Sequence, residues 1–414
     1  MPDAAASRAP YGAALYLAWV QFLFVTCWTI YVIYLPALLE SVGLPKTYTP
    51  WILILDQLTF MVMDVVMGLA ADRAARTLGR IGPLIVGLTA LSCIAFLLIP
   101  HVAMPGAAAS WVMLALVLVW TVTSSALRAP PWVLIGRHAA TPSVPWLNAL
   151  MLSGLAVGGA VAPYLGIVLK NLDPRVPFAI SSITLLAVTA GLVWVERALG
   201  SHTSESPPRA VAPASASGGA LPGSWLFAAG CLLLALGFQV HFSLNSAGQY
   251  LRLADAGQLP YLMPVFWIGF NVAMFPGAAL AKRHGTLHVI AAAALVGAAA
   301  VLVSTLAGSL ELLLAAQLVT GGAWGCMLMA CFSAALEFGH TGREGFALGI
   351  LFAAIAAATL ARIVAAVAEL VRLPGLGDAL GWAPFVFWVA AALIFAALAA
   401  KAAAKAARRS AAAA

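Results

Sequence analysis

Twelve unbroken apolar runs, each long enough to cross a bilayer, govern what this chain can fold into. A helix rises about 1.5 Å per residue and a hydrocarbon core is about 30 Å thick, so roughly 20 apolar residues make one crossing. The first run spans Leu15 to Leu39, the eleventh Phe346 to Val371 and the twelfth Trp382 to Ala400. Between them almost nothing suits water as a solvent: charged residues are 8% of the chain and hydrophobic ones 63%. Inside lipid every peptide group must find its partner within the protein, which leaves helices or closed barrels. Barrel strands would alternate polar and apolar residues over segments of about ten, and these runs do not alternate. The expected fold is therefore an all-α membrane protein with twelve transmembrane helices.

Loop charges set an expected orientation. Lys and Arg are retained on the cytoplasmic side during insertion. With the N-terminus inside, that side takes 14 of them (Arg8, Arg73, Arg76, Arg80, Arg137, Arg197, Arg209, Lys282, Arg283, Arg343, Lys401, Lys405, Arg408 and Arg409). The outside takes Lys46, Lys170, Arg175, Arg252 and Arg372. Both termini are thus expected in the cytoplasm, in a multi-pass protein of the inner (cytoplasmic) membrane. The net charge of +7 follows from topology and calls for no nucleic-acid partner. The bilayer and a small-molecule substrate are the expected partners of a monomer. Cys27, Cys93, Cys231, Cys326 and Cys331 all fall in apolar spans, where they act as small hydrophobes, so no disulfide framework is expected. The N-terminal segment lacks the basic start and cleavage site of a removed signal, so the first span should stay in the membrane.

The chain reads as two halves. Glu196 to Ser224 is rich in Ser, Pro, Ala and Gly and has little to bury, the composition of a flexible linker. The expected organisation is a six-helix bundle over 1–195, a cytoplasmic linker over 196–223, a second six-helix bundle over 224–403 and a cytoplasmic tail over 404–414. Pseudo-symmetric halves of this kind rock about a site near the midplane. A weak internal repeat agrees: GLAADRAARTLGR from Gly68 and PGAALAKRHG from Pro276 each place a small residue before basic residues at a helix end.

Gly68, Asp72, Arg73, Arg76, Gly79 and Arg80 resemble the loop motif of the major facilitator superfamily. Three wider stretches resemble one branch of it, the glycoside-pentoside-hexuronide cation symporters, or melibiose permease-like proteins. These are Asp64-Val-Val-Met-Gly68 with Gly79, Arg80 and Pro83; Ala129-Pro-Pro-Trp-Val-Leu-Ile135; and Glu337 followed by Thr341-Gly-Arg-Glu-Gly345. The resemblance implies the two-bundle fold and cation-coupled symport. It has two departures. Arg128 stands where that branch carries an acidic residue of a sodium site, and Ala356 stands where it carries a lysine.

A charge at the bilayer centre costs about 2.5–3.5 kcal/mol on insertion scales, so one that is retained has a partner or a task. Four lie well inside the runs: Asp56, Asp64, Arg128 and Arg362. Asp64 lies about two thirds along the second helix, with Gln57 seven residues earlier on the same face. Arg128 lies about as far along the parallel fourth helix, so the two can pair. Asp64, Arg128, Asp56 and Gln57 are the candidates for ion coupling, with the proton or sodium as the ion. A static ion pair that fixes packing is the competing role. Arg128 and Arg362 also offer guanidinium forks to an anionic substrate. Gln21, Trp28, Tyr31, Trp132, His241, Asn245, Gln249, Asn271 and Trp324 complete a candidate binding site, since a pocket needs aromatic walls with a few placed polar groups. His241, Asn245 and Gln249 recur every four residues and should form one stripe.

Gly68, Asp72, Arg73, Arg76, Gly79 and Arg80, with Glu337 and Arg343, are candidates for a cytoplasmic gate, where charges at helix ends can latch two halves together. Pro130 and Pro131 should bend the fourth helix just after Arg128. Gly154, Gly158 and Gly159 permit close helix contact, and the segment ending Ala162-Pro-Tyr-Leu-Gly166 faintly resembles the antiporter motif of drug exporters. No reactive constellation of an enzyme is present. His284 and His288 have metal-ligand spacing but no acidic or cysteine partner, and the chain has no phosphate-binding glycine loop. No cofactor is expected beyond the coupling ion. The reading that follows is a secondary symporter of a small polar organic solute, with export of drugs or metabolites and a non-transporting sensor as alternatives.

Overall fold

The apolar runs form helices because only internal hydrogen bonding satisfies their backbones in lipid. The computed structural model describes residues 10–102, 107–139, 143–203, 224–339, 342–373 and 375–413. Within them are twelve membrane-spanning segments, in the first half α1 (Tyr11–Ser41), α2 (Lys46–Thr77), α3 (Gly82–His101), α4 (Ala108–His138), α5 (Val144–Asn171) and α6 (Arg175–Leu199). The second half contains α7 (Ser224–Leu251), α8 (Ala256–His284), α9 (Thr286–Leu306), α10 (Leu310–Gly339), α11 (Glu344–Val367) and α12 (Ala379–Lys405).

The two halves are built alike. In the first, α1 packs on α5 and α6, and α3 on α4 and α6; in the second, α7 packs on α11 and α12, and α9 on α10 and α12. Contact between halves runs through α2 against α11 and α5 against α8. Adding six to each helix number turns one of these pairs into the other, the signature of a pseudo-two-fold axis. Water does not drive helices together here, so association rests on close packing and interhelical hydrogen bonds. Gly154 shows how close: a Cβ there would lie 1.8 Å from the carbonyl oxygen of Ala18, so α1 and α5 touch backbone to backbone. The outer surface is as apolar as the core, with Trp19, Trp51, Trp111, Trp194 and Trp225 exposed, while Gln21, Asp56, Asp64, Asn148, His241 and Gln317 are buried.

α4 is broken where its prolines require it. Pro130 and Pro131 have no amide hydrogen, so the carbonyls four residues back lose their helical donors. A 3-10 turn covers Ser125–Leu127, Arg128 takes the irregular backbone angles φ −91° and ψ −90°, and a new helix starts at Ala129. The Gln21 side chain donates to the freed Leu127 carbonyl at 2.8 Å.

Several boundaries differ from the sequence expectation. α11 ends at Val367 rather than Val371, because Glu369 turns the chain with a left-handed φ of 51°; Arg362 stays inside the helix. The sixth helix continues to Thr203, so Glu196 belongs to the first bundle and not to the linker. Its carboxylate accepts from the amides of Ile81 and Gly82 at 2.6 and 2.8 Å, capping α3. The rest of the expected linker, including Arg209, lies outside the described residues, as do Arg8 and Thr341. The last helix runs on to Ala413, making the expected tail helical. α7 contains a π-helical turn over Gln239–Asn245.

Candidate functional site

Asp64 and Arg128 meet inside the bundle. Arg128 sits at the break in α4, where the chain is free to aim its side chain at α2, and its Nε donates to Asp64 Oδ1 at 2.7 Å. Asp64 is fully buried, and its second oxygen has no partner. The guanidinium lies 4.6 Å from the centroid of Phe60 on α2 and 4.9 Å from that of Phe352 on α11. One cation is therefore held by a carboxylate of its own half and by rings from both. Trp132 stacks on Phe332 across the same boundary at 4.0 Å, and Phe332 meets Phe352 edge-on. These six side chains plug the interface. A buried pair of this kind costs desolvation to form, but removing one member strands the other charge, typically at a cost of about 3–5 kcal/mol.

A second acidic node lies farther from the basic loops. Asp56 is buried, accepts from Tyr31 at 2.9 Å and Thr121 at 2.7 Å, and has no cation within salt-bridge distance among the described residues. Trp28, Tyr31, Phe60 and Trp120 pack around this node, with Trp28 stacked on Trp120 at 5.4 Å. Gln57 is buried beside it in α2.

In the second half the expected stripe on α7 divides, because the π turn shifts residues four apart onto different faces. His241 and Gln249 both meet Gln317 of α10, at 3.1 Å each, and Ser246 joins them at 3.2 Å. Asn245 turns away and donates to the Leu380 carbonyl. Asn271 is spent on the Trp267 carbonyl of its own helix, as Gln21 is on Leu127. Trp324 stacks on Phe238 at 4.6 Å and lies parallel to Trp388. Arg362 is partly buried on α11, and its Nε has no hydrogen-bond partner.

The basic ends of the halves are in contact. Asp72, at the end of α2, accepts from the amides of Gly345 and Phe346 in the first turn of α11 at 2.7 and 2.9 Å. A carboxylate here answers both the unsatisfied amides and the positive end of the helix dipole. Gly68 and Gly345 let the two helices come this close: a Cβ on Gly68 would lie 2.0 Å from the Gly345 carbonyl oxygen. Arg76 donates to the Gly342 carbonyl at 2.9 Å. Gly79 turns the following loop with a φ of 66°, while Arg73 and Arg80 are exposed. Glu337 accepts from Thr286 at the start of α9, and the Arg343 guanidinium lies over the Phe346 ring at 4.9 Å.

Sequence reasoning missed several buried polar contacts between helices. Asn148 of α5 donates to Ser333 of α10 at 2.9 Å, a buried bond between halves. Gln239 of α7 donates to Thr359 of α11 at 2.9 Å. A polar residue inside an apolar run was the available signal for each, but the partner is invisible before folding. His284 and His288 are separated by Gly285, whose φ of 87° ends one helix and starts the next, so they do not share a helical face. Among the described residues no three His, Cys, Asp or Glu side chains cluster as a metal site would require.

The chain belongs to the major facilitator superfamily, whose family model matches residues 17–361. Its fold is shared with solved transporters at low sequence identity. A bacterial homologue of the iron transporter ferroportin in an outward-facing state superposes with a TM-score of 0.72 at 15% identity, covering 92% of this chain and 98% of that one. The Escherichia coli fucose:proton symporter FucP gives 0.69 at 15% identity over 95% and 99%. The human organic anion transporter MFSD10 (TETRAN) gives 0.70 at 15% identity over 93% and 99%. No curated protein sequence matches the chain. Family and fold together define a twelve-helix membrane transporter rather than an enzyme.

Proposed function

We propose that the protein is a secondary active transporter that moves a small polar organic solute (a sugar, sugar acid or carboxylate) in symport with a proton or a sodium ion. In this reading it acts as a monomer in the inner membrane with its basic loops in the cytoplasm. The observation that carries the proposal is the Asp64–Arg128 pair, buried between the halves and wedged between Phe60 and Phe352. The motif resemblance to the glycoside-pentoside-hexuronide branch and the fold shared with a fucose:proton symporter support it.

The cycle follows from charge balance. While Asp64 is ionised it holds Arg128, and Arg128 holds the two rings together. A proton or sodium ion arriving at the free Oδ2 of Asp64 neutralises the carboxylate and weakens its grip on the guanidinium. The plug then loosens, and the cytoplasmic gate of Asp72, Arg76, Gly68 and Gly345 can part. Closing on the other side requires the ion, so transport in one direction is tied to its gradient. Asp56, buried among hydroxyls with no cation beside it among the described residues, is a second position where an ion would balance charge.

Purified protein in liposomes tests this. Sugars, sugar acids and small carboxylates are offered with and without an imposed proton or sodium gradient, alongside Asp64→Asn. The expected result is gradient-driven uptake of one solute that the variant loses while still exchanging that solute across the membrane. Full gradient-driven uptake by the variant would make the carboxylate a packing element.

A further inference from the structure

We propose that the transported solute is an organic anion and that Arg362 takes its carboxylate. This rests on the transporter reading above and narrows its substrate class, excluding neutral sugars.

Two guanidinium groups, those of Arg128 and Arg362, lie inside the apolar runs, and the fold gives them opposite situations. Arg128 is neutralised by Asp64 and covered by two rings. Arg362 has no such relief: among the described residues it forms no ion pair, and its Nε is buried without a partner. α7 and α9 carry no charged residue, and the other charges on α8, α10, α11 and α12 stand near helix ends. An unneutralised guanidinium kept partly out of water is costly, and a bound carboxylate removes that cost while matching its planar donors in two parallel bonds.

Its surroundings suit a polar ligand. Thr359 lies one turn earlier on the same face of α11 and is held by the amide of Gln239 at 2.9 Å; Gln239 in turn accepts from Ser243 at 3.2 Å. Gln239 and Ser243 belong to the π turn of α7, the kind of irregularity that recurs at functional sites. Arg362 lies 18 residues along α11 from Glu344, so it is well removed from the Asp72 latch at that helix's start. Hydroxyls and an amide beside a free guanidinium form a subsite for an anion bearing further oxygens.

The test uses matched pairs that differ in charge: glucuronate and glucose, galacturonate and galactose, lactate and 1,2-propanediol. Binding is read as thermal stabilisation of the purified protein in neutral detergent, and transport as counterflow in liposomes without an ion gradient. At least one acid should bind while its neutral twin does not. Arg362→Gln should weaken that binding about tenfold to a hundredfold, the range for hydrogen bonds to a charged group. Arg362→Lys, which keeps the charge but not the fork, should fall between. Equal binding of a neutral twin, parent-like acid affinity in Arg362→Gln, or no binding by any of these solutes would overturn the proposal. Stabilisation by anionic phospholipid alone would overturn it too, assigning Arg362 to a lipid phosphate. If Arg362→Gln does not fold, unchanged acid affinity in Arg362→Lys is the refuting result. Binding is read without transport and counterflow without an ion gradient, so failure of gradient coupling at Asp64 would leave the binding result standing, and the reverse.

Discussion

Removing the Asp72 carboxylate should open the basic end of the molecule. With the two halves in contact, that side chain accepts two backbone hydrogen bonds from the first turn of α11, at 2.7 and 2.9 Å. When the halves part, water takes over both the carboxylate and the amides, so only the net worth of the bonds favours contact. Bonds to a charged group contribute about 1.5–3 kcal/mol each. Discounting for water that enters beside the truncated side chain, Asp72→Ala should shift the balance by about 2–4 kcal/mol. That is about thirtyfold to seven-hundredfold in the open-to-closed ratio, at 1.4 kcal/mol per factor of ten. The readout is alkylation of a cysteine placed at Leu336, which is buried at this interface with its methyl group 2.5 Å from where a Gly136 Cβ would stand. In a background without the five native cysteines, the alkylation rate follows the open population when opening is fast. Asp72→Ala should raise that rate by the factor above, and Asp72→Asn, which keeps an acceptor without the charge, by less. An alkylation rate unchanged by Asp72→Ala would show that the latch contributes nothing to closure and that helix packing alone holds the ends together.

Two further substitutions probe how the bundle is assembled. Gly345→Ala places a methyl 2.1 Å from the Gly68 carbonyl oxygen and 2.8 Å from Asp72 Oδ1, so it should raise the same alkylation rate about fivefold to a hundredfold by overpacking worth about 1–3 kcal/mol. A rate equal to the parent's would mean that α2 and α11 have room the packing does not show. Gln21→Leu leaves the Leu127 carbonyl at the α4 break without its donor and should cost about 1–3 kcal/mol of stability. Thermal unfolding in detergent checks this, and an unchanged midpoint would show that another group satisfies the carbonyl.

The Asp72 contact and the cluster around Asp64 and Arg128 were legible in the sequence to different degrees. Asp72, Gly68 and Arg76 could be found because a cluster of charge and glycine at the end of an apolar run has few structural explanations. What Asp72 touches could not, since Gly345 and Phe346 are more than 270 residues away in the chain. Pro130 and Pro131 announced a break in α4, and the freed carbonyl explains why Gln21, read as a candidate ligand, is occupied by the backbone. The every-fourth-residue rule failed on α7 because His241 and Asn245 both lie in a π turn, and no residue preference there signals it.

By itself the sequence determined that the chain spans a bilayer twelve times, which charges lie inside the spans, and where the fourth helix breaks. These are local matters: the transfer of some twenty consecutive residues into lipid is nearly additive, and a missing proline amide acts on its own turn. Tertiary structure alone decided that Arg128 is neutralised while Arg362 has no ion pair among the described residues, that Asp56 sits among hydroxyls, and that Asn148 reaches Ser333 across the two halves. The physical reason is that core and lipid are equally apolar. Hydrophobic patterning, which tells a soluble helix which face to bury, tells a membrane helix almost nothing, and the facing is left to small residues and to the few polar side chains that find one another only when the bundle closes.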